Sequence, residues 1–77
     1  NEYDMTLYFS RHAKRRMKWR QVSEEEVRQV VDFPDRAQET FKGRMNVWKR
    51  VDQRLLKVTY KPGHEKITVV TVIVVKK

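Results

Sequence analysis

Seventy-seven residues suffice for one domain with a thin stability margin, and the absence of cysteine excludes a disulfide framework and a thiolate metal site. Eighteen lysines and arginines against ten acids leave a net charge of +8, a field that favours polyanions: RNA, DNA, the ribosome or an acidic protein. The most apolar stretch, Ile67 to Val75, is nine residues long, about half of what a membrane-spanning helix needs; with no secretory signal visible, the expected setting is the cytoplasm.

In chain order, "MTLYF" (Met5 to Phe9) reads as a brief strand or an extended lead-in. Ser10 is placed to N-cap a helix from Arg11 to about Arg20, in which Ala13 and Met17, four apart, share the apolar face and Trp19 lies on its flank. Gln21 and Val22 form a break. "SEEE", Ser23 to Glu26, is a capping box, with Val22 and Val27 at the positions of a hydrophobic staple and three glutamates at the positive end of the helix dipole. The second helix turns Val27, Val30 and Val31 to one face and stops at Pro34, which pushes Phe33 out of the α region.

After Pro34 the apolar period becomes two. Arg36 to Thr40 is a first strand, Gly43 a turn, and Met45 to Val51 a strand alternating Met45, Val47, Lys49 and Val51 against Asn46, Trp48 and Arg50. Asp52 and Gln53 form a tight turn without the glycine such turns favour. Arg54 to Tyr60 follows, then "KPGH", Lys61 to His64, with Pro-Gly at the centre of a type II turn. The last strand, Lys66 to Val75, alternates Ile67, Val69, Ile73 and Val75 against Val70, Val72 and Val74. It is apolar on both faces, whereas a strand wet on one side alternates polar with apolar. The second set, Val70, Val72 and Val74, is therefore expected either to be covered by the N-terminal segment or a partner chain, or to be surplus valine in a central strand.

Three groups of residues bear chemistry. His12, Arg16 and Arg20 recur every four positions and form one stripe on a helix, flanked by Arg15 and Trp19. Two guanidinium forks grip phosphate bidentately, and an imidazole exchanges protons near neutral pH; the alternative is a histidine packed under the sheet with a ring nitrogen bonded to backbone. Arg11 and Arg15 extend the basic helix. In the strand region Arg44, Arg50, Arg54 and Lys57 interleave with Phe41, Trp48 and Tyr60, a composition suited to stacking single-stranded bases, unless the aromatics are core. His64 sits in the Pro-Gly turn, either functional or merely exposed. Metal chemistry finds no support: the two histidines are far apart, Glu24, Glu25 and Glu26 fan around a helix, and two glycines build no phosphate loop. No cofactor is implied.

"FSRHAKRRMKWRQVSEEEVRQVV", Phe9 to Val31, resembles the opening of a bacterial domain family of unknown function whose members look like S-x-HA-x-x-RM-x-x-R-x-I/V-S-x-x-E/D-V, then a proline, a G-R element and two or three strands. Ser10, His12, Ala13, Arg16, Met17, Arg20, Val22, Ser23, Val27, Pro34, Gly43 and Arg44 carry the match, and "KITVVTVI" is similar to the closing strand. That family is similar in turn to RelE/ParE-like and BrnT-type toxins. The resemblance implies a single α+β domain over residues 1–77, two N-terminal helices packed on a three- to four-stranded antiparallel sheet, a metal-independent endoribonuclease activity, and an antitoxin-like partner. On that reading His12 is base or acid, Arg16 and Arg20 hold phosphate, and Arg11, Arg15, Arg44, Arg50, Arg54 and Lys57 bind the strand. Two readings stand beside it: a non-catalytic module for RNA or the ribosome, and a protein-interaction domain that meets an antitoxin-like partner or a second copy through Val70, Val72 and Val74.

Overall fold

A computed structural model describes residues 6–40 and 42–75. The elements in chain order are β1 (Thr6–Phe9), α1 (Arg11–Arg20), α2 (Glu24–Asp32), β2 (Arg36–Glu39), β3 (Met45–Val51), β4 (Arg54–Pro62) and β5 (Lys66–Val75). The strands form one sheet in the order β1-β5-β4-β3-β2, antiparallel except that β1 runs parallel to β5, with Leu7 beside Ile67 and Phe9 beside Val69. The expected three- to four-stranded antiparallel sheet under two N-terminal helices is corrected accordingly. The sheet has five strands and is mixed, and a strand precedes the helices. "MTLYF" extends the sheet at its edge rather than covering a face; Met5 of that segment lies outside the described residues, as does Phe41.

Both helices begin as their capping signals dictate. Ser10 Oγ accepts from the Ala13 N–H at 3.0 Å. Ser23 Oγ accepts from Glu26 N–H at 3.1 Å while Glu26 Oε1 accepts from Ser23 N–H at 2.9 Å, which completes the capping box. α1 ends in a Schellman turn: Val22 N–H donates to Met17 O and Gln21 N–H to Lys18 O. Gln21 takes the left-handed conformation there (φ 57°, ψ 50°), which a side chain adopts less readily than glycine. Phe33 ends α2 outside the helical region, as the following proline requires.

One core lies between the helices and one face of the sheet: Ala13 and Met17 from α1, Val27, Val30 and Val31 from α2, and Val47, Val51, Leu56, Val58, Ile67, Val69 and Val72 from the strands. The spacing of the last three explains the doubly apolar β5. Tyr60 of β4 pairs with Val69, yet Thr59 pairs with Thr71, so Val70 is an extra residue, a β-bulge. Beyond it the phase inverts. Ile67 and Val69 face the helices before the bulge, and Val72 and Val74 face them after it. The expected second apolar face of Val70, Val72 and Val74 therefore dissolves: Val72 is core and Val74 packs against it. The bulge needs a partner for its displaced carbonyl. Ser10 supplies it, its Oγ donating to Val70 O at 2.9 Å while its backbone N–H donates to Val69 O. One hydroxyl thus caps α1 and satisfies the bulge. Ser10→Ala is expected to lower unfolding free energy by about 1–2 kcal/mol, read from urea unfolding; a change indistinguishable from zero contradicts this dual role.

The turns divide. Gly43 takes φ 76° in the β2–β3 connection, as placed. Asp52 and Gln53 both have positive φ, the two-residue hairpin that joins β3 to β4 without glycine. The Pro-Gly turn is corrected: β4 runs through Pro62, Gly63 N–H donates to Lys66 O, and His64 and Glu65 occupy the tip, with Glu65 the left-handed residue. His64 and Glu65 lie 3.6 Å apart, both freely exposed.

Candidate nucleic-acid interface

Because Ala13 and Met17 fix which side of α1 meets the sheet, every other side chain of the helix is pushed outward. Six of its ten residues are lysine or arginine and none is acidic. Like charges three and four apart each cost about 0.2–0.5 kcal/mol in an isolated helix. Caps and the two buried contacts hold α1 against that repulsion, which a bound polyanion would relieve.

On the outer side, His12, Arg15, Arg16 and Trp19 line a depression of about 440 Å³. Their spacing of three, four and seven places them on one face. His12 is exposed, so the alternative of an imidazole packed under the sheet does not hold. Trp19 is 70% exposed, with the Arg20 guanidinium 4.7 Å and the Arg16 guanidinium 5.7 Å from its ring centre. Such contacts restrict floppy side chains and hold their charges out toward solvent. The expected stripe of His12, Arg16 and Arg20 is thus rearranged. Arg15 and Trp19 join His12 and Arg16 at the depression, and Arg20 reaches the group only by stacking on Trp19. Helical spacing marks Arg15 and Trp19 as neighbours of the stripe; it does not show that both Arg16 and Arg20 pack on the one indole.

The strand cations separate by environment. Arg54 is not available to a ligand: its Nη1 donates to Arg20 O at 2.9 Å, and its Nη2 donates to Gln21 O at 3.3 Å and to Glu26 Oε2 at 3.0 Å. It ties the unpaired carbonyls of the Schellman turn to the capping box of α2. Glu26 is held below the ordinary carboxylate range, first by the Ser23 backbone N–H and then by Arg54, against a smaller opposing effect of desolvation than the Ser23 bond exerts. Arg50 and Lys57 alternate with the core residues of β3 and β4 and so face away from the helices. Arg44 is exposed in the turn before β3, and Arg11 is exposed at the start of α1. Tyr60 packs against the core, where burial raises its pKa, so it leaves the expected stacking set. Among the described residues no three His, Asp or Glu side chains gather as a metal site would require, and no helix is long and apolar enough to cross a membrane.

The exposed α1 face can bind phosphates through several guanidinium groups at once and offer a stacking surface in Trp19. For proton transfer its depression holds one imidazole, His12, whereas cleavage of a phosphodiester by the adjacent hydroxyl needs both a base and an acid. No curated protein and no solved structure matches the chain. The pattern defining a domain of unknown function, DUF4258, matches residues 9–74, from the last residue of β1 almost to the end of β5. That span takes in both helices, the depression on α1 and nearly the whole sheet, and the chain belongs to the DUF4258 family.

Proposed function

We propose that the protein is an RNA-binding domain that holds the RNA backbone along the outer face of α1. The carrying observation is the depression lined by His12, Arg15, Arg16 and Trp19 on a helix with six cations and no acid. Basic side chains neutralise phosphates and release counterions, and the exposed Trp19 ring gives unpaired bases a plane to stack on.

Arg15→Glu combined with Arg16→Glu is expected to weaken binding of a single-stranded RNA at least about tenfold at low salt. The slope of log affinity against log salt should fall by about 1.4, the share of two phosphate contacts on a single strand. Filter binding across a salt series measures both. An unchanged slope removes α1 as the interface.

The resemblance to RelE/ParE-like and BrnT-type toxins read from the sequence, which no comparison bears on, suggests a second reading, metal-independent RNA cleavage within a toxin–antitoxin pair. One observation favours it: His12 is exposed beside Arg15 and Arg16, where an imidazole could take or give a proton while the arginines hold the phosphate. Incubation with RNA in EDTA decides between the readings. Cleavage by wild type that His12→Ala abolishes supports the toxin reading; RNA that binds tightly and stays intact leaves the binding domain alone.

A further inference from the structure

The sheet face turned away from the helices bears a second set of cations. Strand register places Arg36, Trp48, Lys57 and Ile73 in one row across β2, β3, β4 and β5. Trp48 stands between two charges, the Arg36 guanidinium at 5.1 Å and the Lys57 ammonium at 5.6 Å from its ring centre. Arg50 alternates onto the same face of β3. At the other edge, Tyr8 is 53% exposed and the Lys66 ammonium lies 5.4 Å from its ring. Within the five strands the sole acid is Glu39, which pairs with Met45 in phase with the core residue Val47 and so lies on the helix side. Among the described strand residues, charge on the open face is therefore of one sign.

We propose that this helix-free face is itself a binding surface for single-stranded RNA, on the side of the sheet opposite α1. It goes beyond the α1 reading and stands or falls separately from it. Positive charge with no acid among the described strand residues of this face matches a phosphate backbone. The broad sheet offers Tyr8 and the outer plane of the Arg36 guanidinium to unpaired bases, whereas a duplex buries its base faces. Trp48 is a positioning residue: stacked from both sides, it holds Arg36 and Lys57 upright and in register. Paired cation–aromatic contacts at both ends of the face are more than solubility requires, because solvated lysines and arginines perform that task without ordering.

The two tryptophans, one on each surface, report separately. Trp19→Phe leaves Trp48 as the sole tryptophan, and Trp48→Phe leaves Trp19. Each protein is titrated at low salt with an oligouridylate of about twelve nucleotides, within the range of a single-strand site, following tryptophan fluorescence. A saturable change is expected from Trp48 in the first protein. Adding Arg36→Gln with Lys57→Gln should weaken it at least about fivefold, while the same pair in the Trp48→Phe background moves the Trp19 signal by less than about twofold. Far-UV circular dichroism identifies any variant that misfolds, and single Lys57→Gln, with an expected loss of about twofold, then replaces the pair. A silent Trp48 beside a responsive Trp19 overturns the second surface and spares the first; the reverse supports the second and removes the first. A Trp48 response to polyglutamate but not to oligouridylate also overturns the proposal, because the face then recognises acidic polypeptide.

Discussion

Val72→Glu is expected to yield no folded protein at 25 °C, whereas Ile73→Glu, one position later, is expected to change stability by less than about 0.5 kcal/mol. Val72 is 1% exposed and lies in the core, and Ile73 is 38% exposed on the opposite face, directly across from Lys57. A carboxylate at the first site is buried without a partner, which costs several kcal/mol, and the valine's burial, worth about 1.5 kcal/mol, is lost as well. A chain of this size has on the order of 5 kcal/mol to lose. At the second site a glutamate meets a lysine across the strands, a mildly favourable pair. Without the Val70 bulge, unbroken alternation would put Ile73 in phase with Ile67 and Val69, and the two outcomes would be exchanged. Far-UV circular dichroism and thermal melts of the pair therefore read out the position of the bulge. A folded Val72→Glu protein with a melting temperature near wild type refutes the register.

The second large effect is expected at Arg54. Arg54→Ala should lower stability by about 2 kcal/mol and the melting temperature by about 10 °C. The substitution leaves two carbonyls at the end of α1 without their donor and Glu26 without its cation. The ion-pair share is discounted because the Arg54 side chain is partly in water. Arg54→Lys should recover less than half of the loss, since an ammonium does not reproduce the planar fork that reaches two carbonyls and a carboxylate together. Glu26 adds a pH signature. Its pKa is lower folded than unfolded, so its contribution is fully present above the unfolded value and fades as pH falls through the folded one. The stability gap between wild type and Glu26→Gln should accordingly narrow on acidification below the ordinary carboxylate range, measured by urea unfolding at a series of pH values. If Arg54→Ala leaves stability intact but weakens RNA binding, Arg54 belongs to the interface and not to the scaffold.

How much was legible in the sequence follows the range of the interactions. The N-cap at Ser10, the capping box at Ser23, the stop at Pro34 and the inward faces of both helices depend on residues within four positions of one another, and the chain spells them out. The outer face of α1 was legible for the same reason, since helical period alone decides what Ala13 and Met17 leave outside. The departures involve partners far apart. Nothing local in "MTLYF" says that it pairs in parallel with a strand sixty residues later, so the sheet was expected to be smaller and wholly antiparallel. Val70 inverts the phase of β5 with no glycine to mark it, so a surplus of valine looked like two apolar faces. Arg54 looked like a phosphate ligand because its partners include backbone carbonyls, which leave no trace in side-chain chemistry. Arg36 meets Trp48, and Lys66 meets Tyr8, only through strand register, which no local pattern spells out.

The parallel pairing of β1 with β5 also governs when the domain can form during synthesis. The strand that both α1 and β1 rest on, β5, follows every other element of the domain in the chain, and Leu7, Phe9, Ala13 and Met17 have no sheet to pack on until it is made. Closing a contact over sixty residues carries its entropic cost at once and is repaid only when the final strand docks. A chain interrupted before Lys66 thus leaves α1 without the strand it packs on and stays open to proteolysis, and the domain closes only once β5 has been made.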